Sequence, residues 1–356
     1  MTAAGVLRAP AAVGGARILG VGAYRPSRVV DNHELAPAID SSDEWIRRRS
    51  GIATRRFAAP DETLVAMAAA AALKALAHAG VEPQSVDTVI LATMSHLEQS
   101  PPAAPRLARQ IGAAEAGAVD LGAACAGFCH ALAVADGLVR SGHSRYVVVV
   151  GSERMSDLVD PADRGTAFLF GDGAGAVVVG PADTPGIGPV VWGTDGARST
   201  VIAHSTPWTA LRPARPSADH PAEPRADHPA EPPADRPAWP TLRMDGPAVF
   251  RWAVAAVPRI GREALAAAGV GVAELAAFVP HQANVRIVDA AAHALDLPPH
   301  VAVARDVTDA GNTSAASVPL ALDRLLSEGA VAPGGLALLV GFGAGLSYAG
   351  QVVVLP

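Results

Sequence analysis

Short apolar runs rich in β-branched residues alternate with helical stretches along this chain of 356 residues, and this alternation restricts the fold most. Residues 146–150 form a continuous apolar run, which is typical of a strand covered on both faces. Residues 126–140 before it carry apolar side chains at helical spacing, and strands are expected at 17–20, 87–91 and 118–120, with a helix over 61–80. The pattern predicts an α/β protein with helices around mostly parallel sheets.

The second half of the chain repeats this plan, which suggests an internal duplication. Strands are expected at 276–280, 301–303 and 336–340, with a turn at 311–312 that leads into a helix. We therefore predict an N-terminal half over 14–190 and a C-terminal half over 191–356. The segment 207–240 interrupts the second half with ten prolines in an imperfect repeat, and it should be an exposed insertion because proline lacks a backbone donor.

Composition excludes several classes of protein. Half of the residues are apolar and 17% are charged, so a large core is expected. The net charge of −6 argues against a nucleic-acid surface. Residues 329–356 carry no charge, but glycine and proline interrupt them, so two buried strands explain them better than a membrane span. We expect a soluble, cytoplasmic protein that neither crosses a membrane nor binds nucleic acid.

Three polar residues stand where strands turn into helices or end. Cys125 precedes an apolar helix, whose N-terminus would stabilise a thiolate, although a lone cysteine is more often a small buried hydrophobe. Cys129 lacks that placement and should serve packing. His281 follows the apolar strand at 276–280, at the sheet edge where α/β proteins bind ligands. Asn312 lies at the start of a helix, where it is either a site residue or simply a turn or helix-capping residue.

Glycine-rich and basic segments are further candidates for binding. Glycines at 171–175 and 341–345 precede strand-like residues rather than a helix, which excludes a nicotinamide site and favours backbone turns that approach a ligand closely. Arginines at 47–49 and 55–56 could bind a phosphorylated ligand or form a solvated face. No motif for a metal site or a serine hydrolase is present.

These residues resemble a known family when their segments are taken in order. The segments are Ser42-Asp-Glu-Trp-Ile46, Ala123-Ala-Cys-Ala-Gly-Phe128, Phe170-Gly-Asp-Gly-Ala-Gly175, His281-Gln-Ala-Asn-Val-Arg286, Gly311-Asn-Thr-Ser314 and Gly341-Phe-Gly-Ala-Gly345. The chain is similar to β-ketoacyl-acyl carrier protein synthases of type III, within the thiolase superfamily. The resemblance implies a duplicated thiolase-like fold with five αβαβα layers and a homodimer.

The resemblance also implies a reaction. Cys125 would be the nucleophile that takes an acyl group from an acyl-CoA primer, and His281 and Asn312 would complete the triad. Malonyl-acyl carrier protein would then lose CO₂, and the resulting carbanion would attack the acyl group on Cys125. The amide of Cys125 and one from the turn at Gly343, Ala344 and Gly345 would hold the oxyanion. Many relatives have glycine in place of Ala344.

Further residues receive roles by the same resemblance. Phe342 matches the aromatic residue beside the malonyl carboxylate. Trp45, Arg49 and Arg164 match contacts to the adenine and phosphates of coenzyme A, which is a substrate here; no cofactor is implied. Asn284 matches a residue of the pantetheine tunnel, and Arg286 one that docks the carrier protein.

Ser100 matches the position that reaches into the acyl pocket of the partner subunit. A bulky aromatic residue there restricts the primer to acetyl, so serine predicts longer acyl primers. Segments around Cys125 and at 345–350 look closest to priming ketosynthases of aromatic type II polyketide pathways. The alternatives are initiation of fatty-acid synthesis, and acyl transfer to an alcohol or amine without condensation.

Overall fold

A computed structural model describes residues 10–211 and 239–356. Most of the proline-rich insertion predicted at 207–240 lies outside the described residues. Within the described ranges no helix has the length and apolar character needed to cross a membrane.

The strands and helices follow one another largely as the sequence predicts. The strands are β1 Gly15–Tyr24, β2 Arg28–Asp31, β3 Thr54–Phe57, β4 Thr88–Ala92, β5 Gly117–Leu121, β6 Val147–Arg154, β7 Asp172–Ala182, β8 Val191–Thr194, β9 Ile202–His204, β10 Leu242–Met244, β11 Leu275–Pro280, β12 Ala302–Val303, β13 Leu336–Gly343 and β14 Ser347–Val354. The helices are α1 Asn32–Leu35, α2 Asp43–Ser50, α3 Leu64–Ala79, α4 Ala103–Gln110, α5 Gly127–Arg140, α6 Gly246–Ala268, α7 Val285–Ala294, α8 Val307–Ala310 and α9 Ser317–Ser327.

Two five-stranded sheets share one topology. The first has the order β1-β7-β6-β4-β5, and the second has the order β12-β11-β13-β14-β8. In both sheets the three strands at one end are parallel, whereas the other two pairings are antiparallel. Strands β1, β7, β6, β4 and β5 therefore correspond in turn to β8, β14, β13, β11 and β12. This correspondence is the structural form of the internal duplication.

Helices α5 and α9 lie between the sheets and form the central layer. Their apolar faces join side chains from the inner faces of both sheets in one continuous core, which includes Phe128, Leu132, Val318 and Leu322. Helices α3 and α4 cover the outer face of the first sheet, and α6 and α7 cover that of the second. The layers are thus αβαβα, and the predicted fold class is confirmed.

Equivalent turns begin the two central helices. Residues Ala124–Ala126 form a 3₁₀ turn before α5, and Ser314–Ala316 form one before α9. Ala124 and Ser314 take the same left-handed conformation, with φ of 45° and 48°. The turns come from opposite halves of the chain, so the duplication brings residues near 125 and 315 together in the middle of the molecule.

The glycine cluster at 171–175 does not form the ligand-binding turn that was predicted. It runs into β7, and Gly175 packs against α9, where an added Cβ would lie 2.7 Å from the Cβ of Pro319. The glycine there permits close contact between the sheet and the central helix. Sequence alone does not distinguish this packing role from a ligand-binding turn, because both require a residue without a side chain.

Candidate active site

A cavity of about 510 Å³ opens where the two equivalent turns meet. Its walls include predicted site residues from both halves: Trp45, Arg49, Cys125, Arg164, His281, Asn284, Arg286, Asn312, Phe342, Gly343 and Ala344. Gly345 and Ser100 do not line it. The duplicated fold therefore gathers most of the predicted site around a single cavity.

Cys125 lies in the 3₁₀ turn that joins β5 to α5, and the residue is 7% exposed. Gly343, at the end of β13, packs directly against it. An added Cβ on Gly343 would lie 2.7 Å from the Cβ of Cys125 and 3.1 Å from its Sγ. A larger residue at 343 would displace the thiol, so glycine at this position keeps the sulfur at the cavity wall.

The backbone of Asn312 is fixed by the N-terminal half. Its N–H donates to the carbonyl of Leu169 at 2.8 Å, and its carbonyl accepts from the N–H of Gly171 at 3.0 Å. In the side chain, Oδ1 accepts a hydrogen bond from the N–H of Ser314 at 2.9 Å. With Oδ1 occupied, the Nδ2 amide group remains free to donate into the cavity.

His281 follows β11, and its N–H donates to the carbonyl of Val340 at 2.7 Å. Its Nδ1 lies 2.6 Å from the Oγ of Ser317, and its ring meets that of Phe342 edge-on at 5.0 Å. These contacts fix the ring plane and leave Nε2 as the nitrogen available to a ligand in the cavity.

The predicted effect of a helix N-terminus on Cys125 is wrong for the free protein. Burial raises the pKa of the Cys125 thiol to about 12, and the charge of Glu153 adds to that effect. Burial also lowers the pKa of His281 to about 3. Both groups are therefore neutral near pH 7, so the free site holds a thiol and an imidazole rather than an ion pair.

Alkylation of Cys125 by iodoacetamide should become about tenfold faster for each pH unit between 7 and 9, without levelling off. The thiolate is the reactive form, and its population rises in this proportion at any pH well below the thiol pKa. Labelling followed by mass spectrometry gives the rate, with Cys125→Ser reporting the background from the buried Cys129. A plateau below pH 8 would show that the thiol is already ionised there.

Glu153 is a buried acid next to the site that the sequence analysis missed. It ends the apolar run of β6, and its carboxylate accepts from the hydroxyl of Thr93 at 3.0 Å and the N–H of Met94 at 3.1 Å. It also accepts from the N–H of Ala315 at 3.4 Å. It thereby ties the segment after β4 to the turn after Asn312. A polar residue near the carboxyl end of an apolar strand was the available signal, as it was for His281.

The predicted coenzyme A contacts lie at the cavity mouth. The guanidinium of Arg164 stacks over the Trp45 ring at 5.0 Å, and Trp45 meets Phe168 edge-on at 5.2 Å. Arg49 also lines the mouth. Asp40 reaches Arg164 only at 4.0 Å, and this ion pair is exposed, so the guanidinium stays available to an anionic ligand.

Only part of the predicted basic segment faces the cavity. Arg55 is fully buried, where it donates to the carbonyl of Phe168 and to Asn32 Oδ1. Arg47 pairs with Asp43 on helix α2. A phosphate-binding role for Arg55 is therefore wrong, since its donors are used to join elements of the fold.

The other side of the mouth is formed by α6 and α7. Asn284 caps α7, with its Oδ1 accepting from the N–H of Ile287 at 3.1 Å. Arg286 lies over the ring of Phe250 at 4.9 Å. Arg251, which the sequence analysis missed, adds another cation at the mouth. Isolated arginines carry no sequence signal that separates them from other surface arginines.

Apolar side chains, most of them buried, also line the cavity. They include Met94, Leu169, Phe170, Ile202, Leu242 and Leu346. Trp252 also lines it and packs against Phe342 at a ring distance of 6.3 Å. Ser100 is exposed in the single chain. The cavity thus has an apolar interior, a cysteine, histidine and asparagine at its centre, and arginines at its mouth, which suits a ligand with an apolar end and an anionic end.

Two protein-family models match the chain. The family described as 3-oxoacyl-[acyl-carrier-protein (ACP)] synthase III matches residues 119–196, and the one described as its C terminal matches residues 265–355. The beta-ketoacyl-[acyl-carrier-protein] synthase III of Streptomyces lividans is 53% identical over 340 residues, which cover 96% of this chain and 94% of that protein.

Solved structures give the same result. The priming β-ketosynthase from the R1128 polyketide biosynthetic pathway is 52% identical, with a TM-score of 0.89 over 98% of both chains. The 3-oxoacyl-(acyl carrier protein) synthase III of Pseudomonas aeruginosa PAO1 is 37% identical, with a TM-score of 0.82 over 96% of this chain and 98% of that one. The similarity spans both halves of the fold.

Proposed function

Because the chain belongs to the β-ketoacyl-[acyl-carrier-protein] synthase III family, we propose that it condenses an acyl-CoA primer with malonyl-acyl carrier protein. The observation that carries this proposal is the single cavity whose wall contains Cys125, His281 and Asn312. The cavity combines a nucleophile with two neutral hydrogen-bond donors, as a decarboxylative condensation requires.

In the first step the sulfur of Cys125 attacks the thioester carbonyl of the primer. The new carbon–sulfur bond forms as the bond to coenzyme A breaks, and the thiol proton leaves with the coenzyme A thiolate. The amides of Cys125 and of the turn at Gly343, Ala344 and Gly345 hold the developing oxyanion. Each such donor contributes about 10²–10³ in rate.

In the second step the malonyl group loses its carboxylate. The bond to CO₂ breaks, and its electron pair moves into the thioester as an enolate, whose oxygen accepts from His281 Nε2 and Asn312 Nδ2. The enolate carbon then attacks the carbonyl carbon of the acyl group on Cys125. The carbon–sulfur bond breaks, and the sulfur of Cys125 leaves as a thiolate. The ring of Phe342 provides an apolar wall that disfavours the carboxylate before CO₂ departs.

The cavity mouth supports the proposed substrates. Trp45 offers an aromatic face for adenine, whereas Arg49 and Arg164 suit phosphates, and Asn284 in the same cavity wall would contact pantetheine. Arg286 and Arg251 give the rim a positive charge that would attract an acidic carrier protein. Coenzyme A enters as a substrate, and the reaction needs no further cofactor.

Product analysis tests the function. Enzyme, butyryl-CoA and malonyl-carrier protein should give equal amounts of CO₂ and β-ketoacyl-carrier protein, measured by trapped CO₂ and intact mass. Acyl transfer to an alcohol or amine without condensation is the alternative from the sequence, and it would give transfer without CO₂. That outcome would reject the proposal.

We propose further that the chain works as a homodimer. Within each subunit, the halves 14–190 and 191–356 both contribute residues to the active site. Strand β5 forms an edge of the first sheet, and Val119 at its centre is 51% exposed. An exposed apolar edge strand is a site for pairing, and pairing with its own copy across a twofold axis would cover it.

Replacing Val119 by aspartate should shift the protein from dimer to monomer in sedimentation velocity at micromolar concentration. Across a twofold axis the substitution places two carboxylates close together, in an interface that excludes water. Val29→Asp is the matched control because Val29 is 49% exposed on β2, outside the proposed interface. An unchanged dimer in Val119→Asp would place the interface elsewhere.

Ser100→Phe should convert a broad primer preference into a preference for acetyl. We expect the ratio of kcat/KM for hexanoyl-CoA to that for acetyl-CoA to fall about 100-fold or more, since each methylene without space costs about 1–3 kcal/mol. Gln99→Phe places the same ring one residue away, at another exposed position, and controls for general effects. A strict acetyl preference in the wild type would contradict the role of Ser100.

We favour priming of a type II polyketide chain over initiation of fatty-acid synthesis. The resemblance around Cys125 and the predicted room for longer primers support this choice. The similar identities to the R1128 priming ketosynthase and to the Streptomyces lividans synthase fit either pathway. Competition among acetyl- to hexanoyl-CoA primers, read by product mass, separates the alternatives. The cytoplasmic location stays a prediction.

A further inference from the structure

We propose that Ser317 is a positioning residue that holds His281 in the tautomer with its proton on Nε2. The Oγ of Ser317 lies 2.6 Å from His281 Nδ1, and Ser317 is fully buried at the first turn of α9. Ser317 lies outside the set of residues to which the resemblance gives a role. The proposal rests on the proposed function, because it explains how His281 becomes a donor to the enolate.

Counting donors and acceptors determines the direction of this hydrogen bond. The Ser317 Oγ also accepts from the backbone N–H of Gln282 at 3.3 Å. A backbone N–H can only donate, and a serine hydroxyl has one proton to give. Among the described residues His281 Nδ1 is the acceptor in reach of that proton. The Ser317 hydroxyl therefore donates to Nδ1, which must be unprotonated.

The opposite tautomer would leave a buried donor unsatisfied. If Nδ1 carried the proton, Ser317 Oγ would receive two hydrogen bonds, and its own proton would lack a partner in a fully buried place. Such an unmade hydrogen bond is unfavourable. With the ring proton on Nε2, the Ser317 hydroxyl, the Gln282 N–H and His281 Nδ1 all have hydrogen-bond partners. Nε2, which is not used in these contacts, can then donate into the cavity.

Gln282 is held firmly enough to enforce this arrangement. Its Nε2 donates to the carbonyl of Pro280 at 2.7 Å, and its Oε1 accepts from the N–H of Val307 at 3.2 Å. The side chain is buried, so both contacts exclude water. Because the residue is fixed at both ends of its amide, its backbone N–H keeps its direction toward Ser317.

The first test reads the tautomer directly. In enzyme labelled with ¹⁵N-histidine, long-range proton–nitrogen correlation at pH 7.5 should show His281 with Nε2 protonated and Nδ1 bare. The His281→Ala spectrum identifies the signal. Ser317→Ala should mix or reverse the tautomers. A protonated Nδ1 in the wild type overturns the proposal, whatever the enzyme catalyses.

The second test separates positioning from a merely structural effect. Ser317→Ala should slow CO₂ release from malonyl-carrier protein about 10- to 100-fold, by analogy with the loss of the hydrogen-bond partner of a metal-bound histidine. Acylation of Cys125 should change less than about threefold, and Ser317→Thr should restore CO₂ release. Ser144→Ala, which removes the buried hydroxyl bonded to Thr88, controls for stability. Equal losses in both half-reactions overturn the proposal. If the wild type releases no CO₂, the proposed function fails while the tautomer remains measurable.

Discussion

Replacing Cys125 by alanine should lower primer-dependent formation of β-ketoacyl product by about 10⁴-fold or more. Removing a nucleophile eliminates the covalent intermediate, and losses of this size are typical of such variants. His281 and Asn312 stay in place, so malonyl-carrier protein should still lose CO₂ and give the acetyl form. Mass spectrometry of the carrier protein distinguishes these two products.

Cys129→Ala is the matched control for this experiment. Cys129 is the other cysteine of the chain, fully buried four residues further on, where it packs in the core between the sheets. Its replacement removes the same atom from the same helix region but leaves the cavity wall intact. We expect activity within about threefold of the wild type. An equal loss in both variants would mean that packing, rather than nucleophilic attack, explains the effect of Cys125→Ala.

Replacing Asn312 by aspartate should slow decarboxylation about 10²–10³-fold, the usual effect of removing a donor to an oxyanion. One carboxylate oxygen can still accept from the N–H of Ser314, as Oδ1 does now. The other would face the cavity in place of the Nδ2 amide and repel the enolate.

The acylation half-reaction is the internal control for Asn312→Asp. Single-turnover release of coenzyme A from the primer does not require the Asn312 donor, so its rate should change less than about threefold. Trapped CO₂ reports the second half-reaction in the same preparation. If both rates fall together, Asn312 supports the shape of the turn rather than the enolate. An unchanged rate of CO₂ release would remove Asn312 from the proposed chemistry.

The order of elements could be predicted from the sequence because buried parallel strands are continuous apolar runs and the helices between them have regular spacing. The same logic located His281, since a polar residue just after a buried strand lies at a sheet edge. A local rule also located the end of α3 at Gly80, but the helix begins at Leu64, after the N-cap Thr63, rather than at the predicted residue 61. These signals depend only on residues close together in the sequence, so they can be recognised in one sequence without a structure.

Other features depend on contacts between distant segments. Ser317 and Glu153 contact neighbours more than 30 residues away. Nothing in the local sequence marks Ser317, and the position of Glu153 near the end of an apolar strand does not show what it contacts. The high pKa of Cys125 arises mainly from burial in the folded protein, which the residues next to it in the sequence do not show. The burial of Arg55 likewise depends on Asn32 and Phe168. The role of Ser100 depends on a second copy of the chain.

The acyl group on Cys125 gives the most direct test of the proposed function. After brief incubation with butyryl-CoA, the tryptic peptide 110–140, which contains both cysteines, should gain one butyryl mass. Fragmentation between residues 125 and 129 should assign that mass to Cys125, and malonyl-carrier protein should then remove it as CO₂ is released. Three results would contradict the proposed function: an unmodified peptide, acylation on Cys129, or an acyl group that malonyl-carrier protein does not remove.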